Sequence, residues 1–344
     1  MINRHNKILL IYTGGTIGMQ KDIETGTLIP FDFSKIIEHI PELQLIDKEI
    51  DTLSFEEPID SSNVRISHWV KLAEIIADNY DSYDGFVILH GSDTMAYTAS
   101  ALSFMLENLS KPVILTGSQL PIGDLRTDAK ENIITSIEIA GSYENSKPIV
   151  PEVGIYFEFK LMRGNRTTKA NAEHFNAFES PNFSPLVQSG VHLKFYKHRI
   201  LPAQSGIFNV HTNLSSDVFI LQIHPGITKE QLLYIINIPG LKALVLQTYG
   251  TGNALTESWF IETLKQAIEE KKIVVVNITQ CHSGGISPEK YETGRKLVEI
   301  GVLNGSDLTT EAAVTKMMYL LTKKLSKIGL KNAFERPIRG EMTI

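Results

Sequence analysis

One cysteine, Cys281, is the whole thiol inventory of this 344-residue chain. No disulfide can close within it, which suits a reducing compartment. No apolar run approaches the ~20 residues of a membrane span. The stretch Ile8-Leu9-Leu10-Ile11 is too short for a secretion-signal core, and it ends in Tyr-Thr-Gly-Gly instead of a small-residue cleavage site. The expectation is a cytoplasmic protein with no membrane partner. Basic charge is scarce as well. Lys and Arg number 33 against 39 Asp and Glu, a net charge of -6, whereas a nucleic-acid partner would want a basic face. The ten histidines never form His-Glu-x-x-His, and no Cys/His spacing suits zinc, so no metal is expected. There is no Walker A lysine and no dinucleotide spacing of glycines, and no Gly-x-Ser-x-Gly nucleophile elbow follows a strand.

What remains is ordinary globular material. Hydrophobic residues make up 42% and charged residues 21%, which excludes disorder along the whole chain. The length exceeds one comfortable core, so two domains are expected. Lys7 to Tyr12, Gly85 to Leu89, Pro112 to Leu115 and Val153 to Phe157 read as buried strands. Ile66 to Asn79, Thr94 to Glu107 and Thr127 to Ala140 read as amphipathic helices between them. A second alternating set has strands at Phe219 to Ile223, Ala243 to Gln247 and Lys272 to Ile278. Its helices fall at Thr228 to Asn237, Thr256 to Lys271 and Thr310 to Leu325. The fold class expected is α/β in two domains, each a mainly parallel sheet flanked by helices, the N-terminal one larger. The boundaries expected are 1–200 for the N-terminal domain, 201–217 for a linker and 218–344 for the C-terminal domain.

In open sheets of this kind ligands bind beyond the carboxyl ends of the strands. Three segments there carry chemistry. Tyr12-Thr13-Gly14-Gly15-Thr16-Ile17-Gly18 ends a strand in two glycines and a hydroxyl, and reads either as a tight turn or as a catalytic loop. Leu89-His90-Gly91-Ser92-Asp93-Thr94 breaks a second strand and offers a hydroxyl beside a carboxylate. Asp93 could instead cap the next helix, and His90 reads as a buried strand-end residue. Arg163-Gly164-Asn165-Arg166-Thr167-Thr168-Lys169 brings a lysine. Drawn into a cleft beside Ser92, it could act as the base that a serine hydroxyl needs; otherwise it is a solvated charge.

Together these segments resemble the bacterial type I L-asparaginases, the cytoplasmic branch of the asparaginase/glutaminase family. The resemblance runs over essentially the whole chain and includes Tyr249-Gly250-Thr251-Gly252-Asn253 and Val274 to Ser283. It implies hydrolysis of L-asparagine to L-aspartate and ammonia without a cofactor, the opening step of asparagine catabolism. Thr16 then falls on the threonine nucleophile, with Ser92, Asp93 and Lys169 as a second triad. Gly15, Asp60, Ser61, Ser62 and Gly91 fall on substrate-binding positions. Asn253 falls on an asparagine that reaches toward the site of a neighbouring subunit, in a homodimer or a homotetramer built as a dimer of dimers.

Three departures from the family pattern stand out. Ser92 replaces the usual threonine and loses the methyl that restricts its rotamer. Leu28 stands where many members carry a loop tyrosine, and Tyr291 matches the alternative tyrosine from the C-terminal half, so the resemblance implies that Tyr291 is the catalytic tyrosine that orients Thr16. At the effector site Thr168 and Cys281 match, but Gln247 replaces an arginine and cannot form a charged fork on a carboxylate. A glutaminase-asparaginase is the competing enzymatic reading, since one methylene is worth only about 1–3 kcal/mol of discrimination. An amidotransferase subunit normally carries a further N-terminal domain, and with the first strand read from Lys7 that domain is not expected here. A non-catalytic amino-acid sensor would need none of Thr16, Ser92 or Lys169.

Overall fold

The computed structural model describes residues 6–21, 28–30, 36, 40–287 and 292–343. The chain divides into two compact units, Met1–Thr212 and Asn213–Ile344.

The first unit is built on an eight-stranded sheet. Its strands are β1 (Lys7–Tyr12), β2 (Glu49–Ser54), β3 (Gly85–Leu89), β4 (Val113–Thr116), β5 (Val153–Phe157), β6 (Lys160–Arg163), β7 (Val187–Gln188) and β8 (Lys194–Phe195). The spatial order is β8-β7-β6-β5-β4-β3-β1-β2. From β2 to β5 every pairing is parallel, and β6, β7 and β8 extend the sheet antiparallel. The central strands are apolar at almost every position because both sheet faces are covered. Ile8, Leu10, Tyr12, Val87 and Leu89 share one core with Ile133 and Ile137 of helix α3 (Ala129–Ala140), while α1 is Ile66–Asp78 and α2 is Met95–Met105. The alternate positions Leu9, Ile11, Phe86 and Ile88 point to the other face and are equally buried. Helix α2 carries no charge and is buried at every position but Tyr97.

The second unit carries a four-stranded parallel sheet, β9 (Val218–Gln222), β10 (Ala243–Thr248), β11 (Val274–Thr279) and β12 (Leu303–Asn304), paired in that order. Its helices are α4 (Lys229–Ile236), α5 (Ser258–Glu269), α6 (Glu292–Glu299), α7 (Thr310–Leu320) and α8 (Lys327–Phe334). Helix α4 begins with a capping box in which Thr228 and Gln231 bind each other's backbone N–H. No described helix is long and apolar enough to cross a membrane.

Candidate active site

Strands β1 and β3 run side by side, Tyr12 opposite Leu89, so both chains leave the sheet at the same edge. Thr13 stitches them there: its N–H and its Oγ1–H each donate to Leu89 O, at 3.0 Å. The next turn depends on glycine. Gly15 has φ +88°, and a Cβ on it would lie 2.5 Å from Gly91 Cα and 2.6 Å from Gly91 N. A side chain is excluded both by the left-handed backbone and by the second strand-end turn. On Gly91 a Cβ would in turn lie 2.6 Å from Ser61 Oγ. The segments around Gly15, Ser61 and Gly91 therefore meet at van der Waals contact.

Thr16 opens a single 3₁₀ turn, Thr16–Gly18, closed by Gly18 N–H donating to Gly15 O at 3.2 Å. The buried Tyr12 ring lies beneath it, and its hydroxyl donates to Gly18 O at 3.3 Å. Burial pushes that phenol up to about 12, so it remains a donor. Thr16 is half-buried, and its hydroxyl has no hydrogen-bond partner among the described residues.

The second turn carries the polar contacts. Lys169 Nζ donates to Ser92 Oγ at 2.8 Å and to Asp93 Oδ1 at 2.6 Å. Asp93 is therefore not the cap of α2, whose N-cap is Thr94. Its side chain is 62% exposed against 19% for Lys169, so the ion pair is worth at most about 1 kcal/mol and matters for geometry more than for stability. Lys169 is aimed by its hairpin: Thr168–Lys169 pairs antiparallel with Phe178–Glu179, and buried Phe178 packs on Phe157, ring centroids 5.0 Å apart. Upstream, the buried pair Arg163 Nε to Glu152 Oε2, 2.6 Å, and Thr167 Oγ1–H to Arg163 O, 2.7 Å, fix the approach.

The third segment is the 3₁₀ turn Ser61–Asn63, capped by Asp60 Oδ1, which accepts from Ser62 N–H and Ser62 Oγ–H at 2.9 Å each. The Ser62 N–H above all, then its hydroxyl, holds the Asp60 carboxyl below its ordinary range. Ser61 ties this turn to the second one. Its Oγ accepts from Asp93 N–H at 3.3 Å, and its carbonyl accepts from Thr94 Oγ1–H at 2.7 Å.

The structure thus joins Ser92, Asp93 and Lys169 by direct contact, joins Ser61 to them, and brings Gly15 and the turn of Thr16 against Gly91. The roles of Thr13 and Thr94 are not marked in the sequence, because each acts through a carbonyl distant along the chain. Of the remaining expected residues, Asn253 sits in the second unit in a tight turn, exchanging backbone hydrogen bonds with Tyr249 at 2.8 and 2.9 Å. Tyr291 lies outside the described residues, and of Leu28 only the backbone is described. Thr168 belongs to the first unit, whereas Gln247 and Cys281 belong to the second. Gln247 donates to Thr310 Oγ1 at 2.7 Å, while exposed Cys281 donates its N–H to Thr279 Oγ1 at 3.0 Å. Among the described residues no His/Cys/Asp/Glu group could hold a metal ion.

Residues 7–201 match the family described as Asparaginase, N-terminal, and residues 217–334 match the Glutaminase/Asparaginase C-terminal domain. The chain is 42% identical over 337 residues to L-asparaginase 1 of Escherichia coli, covering 98% of each. It is 37% identical to the 60 kDa lysophospholipase of Mus musculus, a match covering 98% of this chain and 63% of that protein. The crystal structure of L-asparaginase I from Vibrio cholerae superposes with a TM-score of 0.90 at 39% identity, covering 99% of this chain and 100% of the other.

Proposed function

The chain belongs to the asparaginase family, and on that premise we propose that it hydrolyses L-asparagine to L-aspartate and ammonia with Thr16 as the attacking hydroxyl. The observation that carries the site assignment is the contact of Lys169 with both Ser92 and Asp93, beside a turn in which Gly15, next to Thr16 in sequence, lies against Gly91.

The chemistry follows from what the groups can do. Thr16 Oγ bonds to the amide carbon while the carbonyl π pair moves onto oxygen. Backbone N–H groups in the turn of Ser92 meet that charge, a contribution of about 3–4 kcal/mol per donor. The hydroxyl proton leaves through the polar cluster, and the departing nitrogen takes up a proton and goes as ammonia. Water then splits the acyl ester and returns the threonine. Lys169, in contact with both Ser92 and Asp93, is placed to carry protons for one of these steps. Asp60 and Asp93 offer carboxylates to the substrate ammonium, the Ser61 hydroxyl suits its carboxylate, and Ser62 holds Asp60 in place. Fixing both ends turns a bimolecular attack into a nearly unimolecular one. Such a polar lining suits a small zwitterion and not the acyl chain of a lysophospholipid.

Ammonia release from L-asparagine tests the reading. Thr16→Ala is expected to lower kcat at least about a thousandfold, as removal of an activated nucleophile does, and Ser92→Ala to lower it less. Unchanged turnover in Thr16→Ala would remove the nucleophile assignment. Equal turnover of L-glutamine would make the protein a glutaminase-asparaginase.

A further inference from the structure

His90, directly before Gly91, is 2% exposed and engaged at both ring nitrogens. Nδ1 lies 2.7 Å from Gly91 O, and Nε2 lies 2.9 Å from Thr98 Oγ1. A carbonyl oxygen only accepts, so Nδ1 carries the hydrogen and Nε2 presents a lone pair. Thr98 must therefore donate to Nε2. Its oxygen in turn accepts from Trp69 Nε1–H at 3.0 Å. The result is a buried, one-way chain from Trp69 through Thr98 and His90 to the carbonyl of Gly91. Burial brings the imidazole down to about 4, so it stays neutral and the chain keeps its direction at ordinary pH.

That last carbonyl belongs to the peptide whose nitrogen is Ser92 N. Across a trans peptide the C=O and N–H point in opposite directions. With Gly91 O held toward His90 in the interior, Ser92 N–H is turned the other way, and it makes no hydrogen bond among the described residues. A glycine precedes this peptide and offers little resistance to its rotation, so an outside restraint is needed to keep the donor aimed. We infer that His90, fixed as its Nδ1–H tautomer by Thr98 and Trp69, is a positioning residue that locks the Gly91–Ser92 peptide with its N–H toward the developing oxyanion. The inference rests on the reading that this turn is where the amide is attacked.

Two measurements test it, one of them independent of activity. In protein labelled with ¹⁵N-histidine, the imidazole signal of His90 is expected to show the neutral Nδ1–H tautomer from pH 8 down to about pH 5, and Thr98→Val to mix in the other tautomer. Signals of the Nε2–H form in the wild type overturn the proposal whether or not the protein cleaves asparagine. The second measurement compares His90→Leu with His90→Asn, whose amide nitrogen can stand where Nδ1 stood. His90→Leu is expected to lose at least tenfold in kcat with KM changed less than about twofold. His90→Asn is expected to recover kcat to within about threefold of wild type, although both variants lose thermal stability. Equal losses in both, or a loss confined to KM, overturn the positioning role and leave His90 as packing alone. Should His90→Leu fail to fold, the tautomer signal and the kcat of Thr98→Val, expected to drop several-fold, still decide. Wild-type inactivity toward asparagine together with the Nδ1–H signal would instead strike the proposed substrate and leave the hydrogen-bond chain standing.

Discussion

Burial holds the His90 imidazole near a pKa of about 4, against an ordinary value of 6.5. The unfolded chain takes up a proton as pH falls through 6.5, while the folded chain does not until about 4. Stability is therefore complete above the unfolded value, declines between roughly pH 6.5 and 4, and levels off below that. The full difference is about 3 kcal/mol, from 1.36 kcal/mol for each pKa unit. Urea unfolding between pH 7.5 and 4.5 is expected to show this decline, and His90→Asn to flatten it by the same amount. A slope that survives the substitution would assign the acid sensitivity to other groups. The neighbouring contact of Lys169 with Asp93 is open to solvent on the Asp93 side and contributes little to stability. Removing Asp93 is expected to change catalysis with little effect on Tm.

At the scale of elements, the site is an arrangement of turns held backbone to backbone. The contact of Gly15 with Gly91 leaves no space for a methyl group, and its φ of +88° would strain any other residue. Gly15→Ala is expected to cost about 3 kcal/mol or more in a chemical unfolding curve, combining backbone strain with a clash that cannot relax by a rotamer change. It should also abolish turnover, since the turn of Thr16 would shift. Retention of wild-type Tm and kcat would disprove the close contact. The glycines of this turn are legible in the sequence, but their reason is not, because Gly91 lies far along the chain. Legibility follows burial in the same way for strands. The runs Lys7–Tyr12, Gly85–Leu89 and Val153–Phe157 are apolar throughout and read directly as strands. Strand β2 escapes notice because Glu49–Ser54 is a polar, half-exposed edge. Strands β7 and β8 escape as well, being two residues each, since two residues show no alternation. Helix α6 escapes because Glu292–Glu299 has a charged outer face and little apolar length. From the residues alone, Lys169 reads equally as a partner of Ser92 or as a solvated charge, and the resemblance favours the first. Their contact is made by the hairpin that aims Lys169, a matter of tertiary pairing.

At the scale of the molecule each unit closes its own core, and the second does so with its own C-terminal tail. Lys316 on α7 and Glu341 in the tail are both fully buried, with Nζ 2.5 Å from Oε1. Lys316 also donates to Phe334 O and Arg336 O at 2.7 Å each. Glu341 accepts from the N–H of Ile338 at 3.0 and 3.1 Å and of Arg339 at 2.7 Å. Every strong donor and acceptor of the pair is thus engaged, which is the condition under which a buried ion pair offsets its desolvation. Removing one partner leaves the other charged and unmatched in the interior, a loss of about 3–5 kcal/mol, whereas replacing both with apolar residues of similar volume is far milder. Lys316→Met or Glu341→Leu alone is expected to lose most of the second unit's stability, and the double variant to regain much of it. Hydrogen exchange resolves the effect by unit: in the single variants Ala243–Thr248 and Val274–Thr279 should lose protection while Lys7–Tyr12 and Gly85–Leu89 keep theirs. Equal loss in all four strands would mean that the chain unfolds as one cooperative body. Protection lost only near residue 341 would mean that the tail is an appendage and the buried pair no part of the core.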